Sequence, residues 1–125
     1  MRVTRIHYAR SARRLELQFA NGTEGQLSAE FLRVYSPSAE VRGHGRGQET
    51  LVTGKRAVTV TDVRPVGHYA IQLVFDDGHD SGLYTWQYLH QLVDQEASLW
   101  QQYLDKLHAA GRSRDPDVQV LQFDP

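Results

Sequence analysis

The 125-residue chain carries 14 basic and 15 acidic residues for a formal charge of −1, with 40% hydrophobic residues and no cysteine. That length closes one hydrophobic core but not two, and the balanced charge supplies no net field to draw nucleic acid or an anionic membrane. The lack of cysteine rules out disulfides, thiol nucleophiles and thiolate metal sites, and no stretch approaches the ~20 apolar residues of a membrane span.

The opening Met1–Tyr8 lacks the apolar core of a secretory signal, so a cytoplasmic protein is expected. Val3–Tyr8 and Arg14–Phe19 read as strands, the second with Leu15, Leu17 and Phe19 on one face and Arg14, Glu16 and Gln18 on the other. Asn21-Gly22 tolerates positive φ in a tight hairpin and predicts a third strand over Thr23–Leu27. Ser28 caps a short helix with Glu30 in its first turn, ended by Pro37. Ser36–Thr50 is polar and glycine-rich and predicts a long loop.

Val58, Val60 and Val63 mark a strand broken at Arg64-Pro65-Val66-Gly67. His68–Phe75 is the clearest strand, with Tyr69, Ile71, Leu73 and Phe75 sharing a face. Asp77-Gly78 turns the chain into Ser81–Tyr84, and Thr85 caps the helical segment that starts at Trp86. Trp86, Leu89, Val93, Ala97, Trp100, Leu104 and Leu107 recur at spacings of three and four, as one amphipathic helix or two broken near Asp94. Gly111 stops the pattern. The expectation is an α+β domain over residues 1–110: a mainly antiparallel sheet of two hairpins, a short helix, and a long C-terminal helical segment packed on one face. Residues 111–125 are expected as a flexible tail.

Few residues point to chemistry. In a two-residue hairpin Asp76 and His79 would face each other, close enough for a carboxylate to orient an imidazole or for both to hold a cation, although Asp-Asp-Gly is also simply good turn chemistry. Arg42-Gly43-His44-Gly45-Arg46-Gly47 could wrap an anion, yet it matches no phosphate-loop or dinucleotide fingerprint. The six histidines show neither i, i+4 helical spacing nor a His-Glu-x-x-His pattern, and the serines lie in no nucleophile-elbow context. Trp86 and Trp100 are assigned to packing.

Three segments carry a family resemblance: Phe31–Gly45, the Val63–Ala70 run with its Val-x-Pro-Val-Gly-x-Tyr-Ala pattern, and Phe75–Leu89 with Asp-Asp-Gly-His and Ser-Gly-x-Tyr-x-Trp. Together they resemble the γ-butyrobetaine-hydroxylase-like N-terminal domain family, over about Ile6 to Leu107. In carnitine-biosynthesis hydroxylases this domain precedes an iron- and 2-oxoglutarate-dependent catalytic domain and binds zinc through three cysteines and a histidine. The resemblance places His79 at that histidine and the thiolates around Ser36-Pro37-Ser38 and just after. Serine hydroxyls are poor zinc ligands, so that site does not carry over. No histidine here is followed at the second position by an acid, as the iron oxygenase would require. Relatives of the domain also accompany P-loop ATPases bearing iron–sulfur clusters, and bacterial members commonly stand alone.

The leading expectation is a non-catalytic accessory domain, monomeric or weakly dimeric, that binds an unknown protein partner through the Ser36–Gly47 loop and the neighbouring turn. Its candidate partner- or anion-binding residues are Arg33, Ser36, Ser38, Arg42 and Arg46. The alternative is a zinc or iron domain, linked to iron or iron–sulfur metabolism, with His79, His44 and Asp76 as ligands. A third reading, an enzyme holding a small anion on Arg33, Arg42 or Arg46, lacks an assignable acid–base pair.

Overall fold

The computed structural model describes residues 2–43 and 49–116. Strands β1 (Val3–Ala9), β2 (Arg14–Phe19) and β3 (Glu24–Ser28) form one antiparallel sheet in that order. The strict alternation of β2 buries Leu15, Leu17 and Phe19, and the register sets Leu15 between Tyr8 and Leu27. A second antiparallel sheet orders β4 (Val60–Val66), β5 (Ala70–Phe75) and β6 (Leu83–Thr85). The α+β class is as expected, with the strands divided between two three-stranded sheets. They meet where the Tyr8 hydroxyl lies 2.8 Å from Thr59 Oγ1 and accepts from the Val60 amide at 3.1 Å.

Two strand boundaries differ from expectation. β4 runs on through Pro65, which lies opposite Ile71. It is an edge strand, so the missing N–H of proline can face away from the ladder. His68 and Tyr69 fall in the turn before β5, leaving Tyr69 56% exposed instead of on the buried face.

Four helices complete the described residues: α1 (Ala29–Val34), α2 (Ala39–Arg42), α3 (Trp86–Asp94) and α4 (Glu96–Ala110). Ser28 Oγ accepts from the Phe31 amide and Thr85 Oγ1 from the Tyr88 amide, the two caps the sequence implies. α2 is a helical turn inside what reads as loop. A break at Gln95 resets the helical phase, so Leu92 and Tyr103 are buried while Ala97 is exposed. One apolar cluster joins both sheets to α1, α3 and α4, and Trp86 and Trp100 pack against it. Among the described residues no helix is long and apolar enough to cross a membrane.

Residues 112–115, which the sequence leaves in the tail, run beside the 53–56 loop. Gly54 N donates to Ser113 O and Arg56 N to Arg114 O, both at 3.0 Å. Arg114 reaches Glu30 through two bonds, at 2.6 and 2.8 Å, with its guanidinium 5.0 Å from the Trp100 ring centre.

Candidate functional site

The turn after β5 holds three residues, Asp76-Asp77-Gly78, between Phe75 and His79. Gly78 N donates to Phe75 O, Phe75 N donates to His79 O, and Gly78 takes the φ of +89° that closes the turn. The expected Asp76–His79 pairing is therefore corrected, because one extra residue shifts His79 opposite Phe75. Asp76 instead accepts from the Thr59 amide at 3.1 Å.

His79 turns inward and is 6% exposed. Its Nδ1 lies 3.1 Å from Glu40 Oε2 and its Nε2 2.8 Å from Ser36 Oγ. The carboxylate holds the proton on Nδ1, so in the neutral ring Nε2 accepts from the Ser36 hydroxyl, and Ser36 Oγ in turn accepts from the Ser38 amide. Ser38 caps α2 through the Glu40 amide and lies 2.7 Å from Ser81 Oγ. Burial, helped by the Arg33 charge, lowers the His79 pKa despite the opposing pull of Glu40 and Asp77. Beside it, burial resists ionisation of Asp77, but bonds from Lys55, the His79 amide and Arg33 bring its pKa down to about 2.

A carboxylate, an imidazole and a hydroxyl in sequence is the arrangement of an activated nucleophile. Here Ser36 is 0% exposed, so no substrate reaches it. The chain joins the Ser36–Arg42 segment to the 76–82 turn. Gly82 belongs to the same joint, since a Cβ there would sit 2.5 Å from Ser36 Oγ and 3.1 Å from Pro37 Cδ. Gly82→Ala should therefore cost about 1–3 kcal/mol by forcing Ser36 off His79. Thermal melts should show this, with part of the loss recovered when Ser36→Gly is added.

The structure redistributes the site residues expected from sequence. Of the expected recognition residues, Ser36 and Ser38 are buried, and the half-buried Arg33 has its Nε held 2.8 Å from Asp77. Arg42 lies apart from them, its Nη2 donating to Val34 O at 3.1 Å and its guanidinium 5.4 Å from the Tyr35 ring centre. His44 and Arg46 lie outside the described residues. For the metal set, Asp76 is bonded to Thr59 and both ring nitrogens of His79 have partners. Among the described residues no group of three or more His, Cys, Asp or Glu side chains could hold a metal ion. The zinc set implied by the resemblance does not fit either, because the Ser36 and Ser38 hydroxyls hydrogen-bond to His79 and Ser81. Glu40 completes the site, and its one local signal in the sequence is its place in the first turn after the Ser38 cap.

The family model for gamma-butyrobetaine hydroxylase-like, N-terminal domains matches residues 6–90. One similar structure, solved by NMR in solution, is 45% identical over 99% of this chain and 98% of that chain, with a TM-score of 0.81. A second NMR solution structure is 51% identical over 92% of this chain and 86% of that one, with a TM-score of 0.79. A crystal structure of an Acidithiobacillus ferrooxidans ATCC 23270 protein of unknown function, from the DUF971 family, is 41% identical. It aligns over 73% of this chain and 91% of that chain, with a TM-score of 0.61. No curated protein matches the chain.

Proposed function

We propose that this chain, which belongs to the gamma-butyrobetaine hydroxylase-like, N-terminal family, is a non-catalytic accessory module that binds a protein partner. One observation carries this reading: Ser36, Ser38, His79 and Ser81, at the heart of the family-like segments, are bonded to one another, with Ser36, Ser38 and His79 buried. Groups so engaged brace a scaffold, and the surface they brace is where recognition takes place. The absence of cysteine suits work in a reducing cytoplasm. The alternative, a zinc or iron domain through His79, His44 and Asp76, gains no support among the described residues, because Asp76 and His79 are committed elsewhere.

Tagged protein used as bait in a lysate of its source cell should retain one partner reproducibly, and the purified pair should co-elute in size-exclusion chromatography. A protein that elutes alone and retains nothing above an unrelated bait would overturn the reading.

A further inference from the structure

A half-open cleft of about 430 Å³ lies between the α1–α2 segment and α4. Its walls are fixed. The Tyr35 hydroxyl donates to Leu99 O and the Tyr103 hydroxyl to Val52 O, each at 2.7 Å, and Thr50 N donates to Val41 O at 2.7 Å to hold the remaining rim. Among the described residues two cations line it, Arg42 and Lys106, against one carboxylate, Glu49. Arg42 is held by its bond to Val34 O and by the Tyr35 ring, so its fork is oriented before anything binds. Its Nε is buried without a hydrogen-bond partner among the described residues, so what Arg42 offers an incoming group is its terminal Nη edge.

We infer that this cleft receives an aspartate or glutamate side chain from a protein partner, paired with Arg42 and Lys106. The inference rests on the proposed partner-binding role and names the chemistry that the partner presents. A planar guanidinium fork matches a carboxylate, and among the described lining residues two cations face one carboxylate, a balance that suits a monoanion. A small-molecule site covers most of its ligand, whereas the described residues leave this cleft open on one side. An acidic side chain entering from a larger body closes that side with the partner's own surface. The adjoining apolar and aromatic wall, with Leu99 and Tyr103, suits an aliphatic neighbour of the acid.

The test is an array of random-sequence heptapeptides probed with the whole labelled protein. Peptides rich in Asp or Glu should be retained, and the Glu→Gln versions of the best binders should bind at least tenfold more weakly in fluorescence polarisation. Lys106→Gln, an exposed change, should weaken acidic-peptide binding about tenfold, and Arg42→Gln should do the same. Arg5→Gln, on the β1 strand, should leave binding unchanged. Glutarate and inorganic phosphate should compete only at concentrations far above the peptide's. An array with no acidic preference, binding indifferent to Lys106→Gln, or competition by either small anion as strong as the peptide's would overturn the inference. If such a result came with a partner still retained from lysate, the accessory-module reading would stand and only the cleft assignment would fall.

Discussion

Replacing Arg114 by methionine is expected to destabilise the fold by about 2–3 kcal/mol, because it strands the buried Glu30 carboxylate without its cation. Glu30's side chain is only 7% exposed and accepts two bonds from Arg114. Arg114 is 29% exposed, which places the loss below that of a fully buried pair. The direction of the Arg114 pKa shift agrees, since the bond to Glu30 raises it. Urea titration should show the midpoint fall, with a change in Trp100 fluorescence as the guanidinium leaves its ring. Deleting residues 112–125 should cost about as much, and adding Glu30→Met to Arg114→Met should recover part of the loss. A loss below about 0.5 kcal/mol in both variants would mean that the segment after Gly111 does not brace the fold.

His79→Ala is expected to cost about 3 kcal/mol, from the cavity it opens and from the Ser36 hydroxyl left without its acceptor. The ring also gives stability a pH dependence. Burial and Arg33 lower its pKa in the folded state, so below about 6.5, the ordinary histidine value, the unfolded chain takes up a proton that the fold resists. The contribution is complete above that pH and is lost as pH falls toward the lowered folded value. Denaturation curves between pH 7.5 and 5 should show the native protein losing stability faster than His79→Ala. Asp77, ionised down to about 2, stays constant across that window. Parallel pH profiles for the two proteins would remove His79 from this role.

Much of the fold could be read residue by residue. Leu15, Leu17 and Phe19 alternate with polar neighbours, and Ser28 and Thr85 stand one residue before their helices. The candidate site was harder to read. His79 is marked by its turn, but the extra turn residue keeps Asp76 from pairing with it, and its partner Glu40 sits in another segment. The polar neighbourhood of Ser36 is that of an exposed loop, yet Ser36 is fully buried.

Periodicity, capping residues and turn dipeptides act over a few positions, so the two hairpins, the caps and the α+β class follow from the chain itself. The Ser36–His79 bond spans 43 residues and the Glu30–Arg114 pair 84. Such partners are set by how the two sheets and α4 pack, which no local pattern encodes. The tertiary structure therefore decided that the Asp-Asp-Gly-His turn braces the interior, that the tail's first residues are clamped, and that Arg42 stands in a cleft with Lys106 across from it.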